Sequence, residues 1–282
     1  MPVRQRRLRL LWIALFLLVL GCSMPGAKKE QKQGPARPPS RGLANIARTG
    51  ELRIGMSGEQ PPLTMTAKNG DLIGLDVALS RVLANSMGVD AKFVKLPFGR
   101  LLDALVADQV DMVMSGVTIT PARSERVTFV GPYYTSGKSL LTKSESLAGV
   151  RIPQDLDSSQ IRLSALAGST SESFVRDSIP RAKLVATEHL EEAIQKVLDG
   201  NVDALIADRE TCSFAVLRHP DQGLLNPDVV FTIEPMGIAI APGDPRFANL
   251  IQTYLSALEE HGILEKARAF WFKDPAWVKD LR

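Results

Sequence analysis

Three short segments of this chain carry residues whose types and spacing suit the binding of a small charged molecule. The first is Ser115-Gly116-Val117-Thr118-Ile119-Thr120, with Arg123 three residues on. It offers hydroxyls, a glycine and a guanidinium. A planar guanidinium grips both oxygens of a carboxylate at once. Ser115 and Thr118 also suit a turn, and Arg123 also suits a surface pair with Glu125. The second segment is Gly168-Ser169-Thr170, where backbone N–H groups at a helix start can hold an anion. The third is Ala207-Asp208, a carboxylate after an apolar run. Asp208 fits two jobs, receiving an ammonium or capping a helix that begins near Arg209. Cationic donors beside an acidic acceptor match a zwitterion.

Other chemistries lack their residues. Gly131-Pro-Tyr-Tyr-Thr-Ser-Gly137-Lys138-Ser139 looks like a phosphate loop, but five residues separate its glycines where the motif needs four. Pro132 and two tyrosines stiffen it further. It reads instead as a crossing between two halves of the fold. His189, His219 and His261 have no metal-ligand spacing. No serine sits in a Gly-x-Ser-x-Gly elbow, and no nucleophile–base pair is evident. No catalytic residue, metal or cofactor is therefore expected. Cys212 reads as a buried helical thiol.

The elements that must position these segments can be read from the pattern. Leu52–Met56, Ala91–Leu96 and Val110–Met114 are strand-like, separated by helical runs after Asp76 and over 98–107. Asp76 is expected to cap the first of these helices and Gly88 to close it. The second half repeats the plan. Strands are expected at 161–165, 182–187 and 202–206, and helices at 169–177 and 190–198. A β-α-β-α-β run is the signature of a mainly parallel sheet covered by helices. Ala107-Asp-Gln-Val-Asp-Met-Val-Met114 also echoes Leu198-Asp-Gly-Asn-Val-Asp-Ala-Leu-Ile206, which supports two similar α/β lobes. In open α/β sheets ligands sit beyond the carboxyl ends of the strands. All three chemistry-bearing segments lie there.

The 282 residues include 45% hydrophobic and 23% charged residues, an ordinary globular composition that excludes a disordered, collagen-like or polytopic membrane protein. The net charge of +3 misleads. Residues 1–41 hold nine Lys/Arg and one acid, so the rest carries 25 basic and 30 acidic residues. A body of net −5 gives no support to nucleic-acid binding. Arg4, Arg6, Arg7 and Arg9 precede the uncharged run Leu10–Leu20. That run is about half of the ~20 residues a membrane span needs and suits the h-region of a secretory signal. Its end, Leu20-Gly21-Cys22, resembles the bacterial lipobox, which implies lipidation at Cys22. Residues 1–22 then form a lipoprotein signal peptide and 23–42 a flexible tether with almost no large apolar residues. Such an anchor holds a protein on a membrane without spanning it.

Ser115-Gly-Val-Thr-Ile-Thr-Pro-Ala-Arg-Ser-Glu-Arg-Val-Thr-Phe-Val-Gly-Pro-Tyr-Tyr134 resembles the core motif of the bacterial extracellular solute-binding proteins of the polar amino-acid type, family 3. The likeness extends over about residues 50–275, including Gly74-Leu-Asp76 and Phe270-Trp-Phe272. It implies an α/β, two-lobed periplasmic-binding-protein-like fold, each lobe a mainly parallel sheet with helices on both faces, joined by two crossing segments. Lobe one would hold 43–135 and 236–282, and lobe two 138–233, together forming a solute-binding domain over 43–282. The resemblance implies that Arg123 clamps the ligand α-carboxylate. Ser115, Gly116, Thr118 and the amide at Thr170 would assist it, and Asp208 would receive the α-ammonium. Gln60 stands where many members place an aromatic ring, and Phe98 where a pocket wall is expected. The lack of an acid at Ser57 weighs against a lysine or arginine ligand, though Glu59 is close. The implied function is the substrate-binding component of an amino-acid ABC transporter. Its expected state is a monomer on the cell envelope, lipid-anchored and facing the periplasm or exterior, that delivers an amino acid to a membrane permease. The alternative on the same fold is a cyclohexadienyl dehydratase-like enzyme.

Overall fold

The computed structural model describes residues 41–273 and 277–278. Cys22, the signal segment and the tether through residue 40 lie outside them. Among the described residues, β1 (Glu51–Met56), β2 (Glu59–Gln60), β3 (Thr64–Thr66), β4 (Leu72–Ile73), β5 (Asp90–Lys95), β6 (Met112–Val113) and β7 (Thr128–Ser136) come first. β8 (Lys138–Thr142), β9 (Arg162–Leu166), β10 (Lys183–Thr187), β11 (Ala204–Asp208) and β12 (Glu234–Ile240) follow. They build a five-stranded sheet in the order β5-β1-β6-β12-β7 and a four-stranded sheet in the order β10-β9-β11-β8. The small antiparallel set β2-β3-β4 sits beside the first.

In each large sheet the three strands of the β-α-β-α-β run are parallel. Of the strands supplied by the crossing segments, β12 pairs antiparallel to β6 and β8 to β11, while β7 pairs antiparallel to β12 at the sheet's edge. The chain passes from the first sheet to the second between Ser136 and Lys138, and returns at Glu234. The stretch that mimicked a phosphate loop is this outward crossing. Gly137 is required there by space: a Cβ on it would lie 2.1 Å from Val230 Cγ1 and 2.3 Å from the Thr232 carbonyl.

Each sheet is covered on both faces. Helices Leu75–Ser86 and Pro245–Glu260 lay Leu75, Val77, Leu83, Phe247 and Ile251 onto one face of the first sheet. Leu101 and Leu105 of helix Leu101–Val106 cover the other. In the second sheet, helix Leu190–Leu198 buries Leu190, Ala193, Ile194 and Val197 on one face, while Val175 and Ile179 near helix Thr170–Ser178 cover the opposite one. Their 3–4-residue spacing is what sequence periodicity registers, and each fully buried Leu or Ile contributes about 1.5–3 kcal/mol. No described helix is long and apolar enough to cross a membrane.

Two local expectations change. Helix Leu75–Ser86 has Gly74 at its N-cap, with φ 129°, and Asp76 makes no cap. A side chain at Gly74 would meet the Leu63 carbonyl at 2.2 Å, so the turn before the helix is closed by backbone contact. Asp76 is buried instead and accepts the Gly116 N–H at 2.8 Å. The strand expected at 202–206 runs over Ala204–Asp208, which makes Asp208 its last residue.

Candidate ligand-binding site

Between the carboxyl ends of the two sheets lies a cavity of about 20 Å³, room for about one water. Gln60, Phe98, Gly116 and Thr118 face it from the first sheet's side, and Lys138, Thr170 and Asp208 from the second's. The two sides touch across it. The Arg123 guanidinium donates through Nη1 to the Thr118 carbonyl at 2.9 Å and through Nη2 to the Gly168 carbonyl at 3.1 Å. Thr118 and Thr170 bring their hydroxyls to 3.4 Å. Thr211 donates to the Pro61 carbonyl at 3.2 Å, and Glu59 meets His189 Nδ1 at 3.0 Å.

Arg123 is placed by the short helical turn Pro121–Ser124, whose Thr120 cap accepts the Arg123 N–H at 3.3 Å. Its guanidinium lies 5.8 Å from the centroid of the Phe98 ring, within range of a cation–π contact. It forms no salt bridge among the described residues. Burial lowers its pKa, and the negative Glu234 and Asp208 farther off oppose that. A half-buried guanidinium whose hydrogen bonds go to two carbonyls keeps further donors for an incoming carboxylate.

Asp208 occupies the N-cap position of helix Arg209–Arg218 but makes no side-chain cap bond. Its carboxylate goes to Lys138, directly opposite in the antiparallel register of β8 and β11. Lys138 Nζ stands 2.6 Å from Asp208 Oδ1 and 3.5 Å from Glu234 Oε2, with its side chain only 2% exposed. Glu234 also accepts the Thr170 hydroxyl at 3.0 Å and the Thr232 hydroxyl at 2.8 Å. Burial pushes Asp208 up from the usual carboxylate range against the pull of Lys138. Burial acts the same way on Glu234, but there Lys138 and the threonine hydroxyls prevail and hold it low.

Not every expected residue reaches the cavity. Ser115 is buried and ties down the neighbouring loop, accepting the Ser57 N–H at 2.9 Å and donating to the Ser57 hydroxyl at 3.1 Å. Its hydroxyl bonds within the first sheet's side and does not line the cavity. Gly116 borders the cavity, but its N–H is taken by Asp76. Gln60, Phe98, Thr118, Thr170 and Asp208 do come together, while Arg123 bridges the two sides next to the cavity without lining it. Cys212 is a fully buried helical thiol whose pKa burial raises. Among the described residues no cluster of His, Cys, Asp or Glu suits a metal.

Sequence reasoning missed Lys138 and Glu234. Lys138 was visible only as part of a failed phosphate loop; its pairing with Asp208 follows from strand register. Glu234 reaches the site because the return crossing ends there, which no local pattern announces.

A structure from Wolinella succinogenes, described as a candidate binding component of an ABC transporter and complexed with lysine, is 36% identical. It covers 82% of this chain and 99% of that one with a TM-score of 0.77. The arginine-binding protein 1 of an Escherichia coli K12 ABC transporter is 24% identical over 79% of this chain and 90% of its own length. A cyclohexadienyl dehydratase from Pseudomonas aeruginosa is also 24% identical, over 82% and 86% respectively. The family model for bacterial extracellular solute-binding proteins, family 3, matches residues 52–274. With most of its length and both halves of its cleft inside that match, this chain belongs to family 3 of the bacterial extracellular solute-binding proteins.

Proposed function

We propose that this chain is the substrate-binding component of an amino-acid ABC transporter and takes a free amino acid between its two lobes. The supporting observation is the half-buried Arg123, which has no salt bridge among the described residues and bridges the two sides through carbonyl groups, beside a cavity bordered by the Asp208 carboxylate. Arg123 holds the α-carboxylate, with Thr118 and Thr170 beside it. One oxygen of Asp208 is on Lys138 and the other receives the α-ammonium. Phe98 and Gln60 wall the pocket. The lobes, 43–135 with 236–282 and 138–233, close about the crossings at 136–138 and 230–234. A cavity of about 20 Å³ admits no amino acid until they part. The closed form then docks on a membrane permease. The protein works as a monomer on the cell envelope, held by lipid at Cys22.

A thermal-shift screen against the common amino acids tests the binding reading. A ligand at 100 times its Kd adds about 2.7 kcal/mol of stability, and no shift with any amino acid refutes it. The dehydratase-named relative supplies the rival, which a prephenate and arogenate turnover assay decides. Measurable turnover replaces binding by catalysis. The anchor has its own test. Labelled palmitate should enter the wild type and not Cys22→Ala, and equal labelling removes the lipid from the account.

A further inference from the structure

The carboxylates around this cleft already have partners. Asp208 and Glu234 share Lys138. Glu59, at the cleft's edge, takes His189 Nδ1 at 3.0 Å and the Leu190 N–H at 3.4 Å. Glu210 accepts the Tyr134 hydroxyl at 2.7 Å and the Ser136 hydroxyl, with Arg209 beside it. What the protein leaves open at the cleft is the face of Arg123 and the second oxygen of Asp208, which accepts no hydrogen bond among the described residues. Asp76 Oδ1 also accepts none among them, but Asp76 is fully buried behind Gly116 and does not line the cavity. Around the cavity, Arg123 and Lys138 balance Asp208 and Glu234, and the α-groups of a bound amino acid keep that balance.

Resting on the amino-acid reading above, we propose that Lys138 is a resident cation that fixes the charge of the ligand. The site accepts an amino acid with an uncharged or acidic side chain and rejects a cationic one. A cationic side chain brings an extra positive charge into a closed cavity bordered by the Lys138 ammonium, where no carboxylate is free to pair with it. A buried charge without a partner is strongly unfavourable, and an approach of like charges discriminates against the wrong ligand. Lys138 cannot step aside easily. Its N–H donates to the Thr232 hydroxyl at 3.0 Å, its carbonyl accepts the Phe231 N–H at 2.8 Å, and β8 is locked to β11. The arginine and lysine named for relatives are thus the ligands this cleft is built to refuse.

The test is calorimetric titration of the full chain in detergent with arginine, lysine, glutamine, glutamate, alanine and the remaining amino acids, on wild type and Lys138→Met. We expect the tightest wild-type ligand to be uncharged or acidic and to bind at least 100-fold more tightly than arginine or lysine. In Lys138→Met the freed Asp208 and Glu234 should raise affinity for arginine or lysine at least tenfold. If that variant fails to fold, Lys138→Met with Glu234→Gln keeps the charge balance and should still raise affinity for arginine or lysine, by less, because the Lys138 charge is gone and only Asp208 is freed. A wild type that prefers arginine or lysine overturns the role of Lys138 and leaves the amino-acid reading standing. An unchanged ranking in the folded variant does the same. Binding of no amino acid overturns both.

Discussion

Gly99 and Gly168 meet backbone to backbone across the cleft: a Cβ placed on Gly168 would lie 2.8 Å from the Gly99 Cα, and one on Gly99 would lie 3.3 Å from the Ala167 carbonyl. Gly168 also has φ +73°, which glycine adopts without strain. The two halves can close this far only because neither residue carries a side chain. Gly99 has no such backbone constraint, so a side chain there acts on closure and spares the local fold. We expect Gly99→Leu to hold the cleft ajar. Ligand affinity should fall tenfold or more, which corresponds to at least about 1.4 kcal/mol, while ligand-free stability stays near wild type. Calorimetry and a thermal melt check the two halves of this statement, and wild-type affinity in the variant refutes it.

Arg123→Ala removes the only charged donor among the described residues that reaches across the cleft to the Gly168 carbonyl. Losing one partner of a buried, hydrogen-bonded charge pair costs about 2–5 kcal/mol. Amino-acid affinity should therefore drop by roughly 30-fold to several thousand-fold with the circular dichroism spectrum unchanged. An unaltered Kd contradicts the carboxylate clamp.

Asp208→Asn separates capping from charge. Asparagine caps a helix about as well as aspartate, and Asp208 makes no cap bond to lose. What the change removes is the closer carboxylate partner of Lys138. Breaking a buried pair costs about 3–5 kcal/mol when the partner is left alone, and Glu234, 3.5 Å from Nζ, offsets part of that. We expect a lowered melting temperature and, with ligand, weaker binding of an α-amino acid. Discrimination against the same acid without its amino group should also narrow. A variant with wild-type melting and discrimination returns Asp208 to a plain helix start.

The buried Asp76 makes stability depend on pH. Burial raises its pKa from 3.8 to about 7, against the pull of Tyr133 and the Gly116 N–H. The folded state thus holds this proton more tightly than the unfolded one. Its contribution to stability is present in full below about pH 4 and is lost as pH rises through about 7. At about 1.4 kcal/mol per pKa unit, the loss is on the order of a few kcal/mol. Asp76→Asn keeps an acceptor for Gly116 and does not titrate. It should match wild type near pH 4 and exceed it in urea melts at pH 8. A constant difference across that range excludes the titration.

The repeated Val-Asp echo turns out to be a repeated clasp. Asp111 takes the Arg53 N–H at 2.8 Å and its guanidinium at 2.8 Å, and Asp203 takes the Arg162 N–H and guanidinium at 2.7 Å each. Arg53 lies within β1 and Arg162 opens β9, and each of these strands is parallel to the one its aspartate precedes. The sequence displayed the aspartates because each sits in a local turn-and-strand pattern. The arginines, 58 and 41 residues away, were invisible in it.

The division holds for the whole molecule. Sequence alone determined the alternation of strands and helices, the motif around Arg123 and the placement of three binding segments at strand ends, because apolar periodicity and turn chemistry are local properties of the chain. It misplaced the cap at Asp76, where the strong local preference of aspartate for helix starts loses to backbone crowding at Gly74. Only the tertiary structure turned Ser115 inward, set Gly99 against Gly168 and brought Lys138 between Asp208 and Glu234. Those relations depend on strand register and on two chain crossings 96 residues apart, and burial then converts them into charge pairing that neither partner's local sequence encodes.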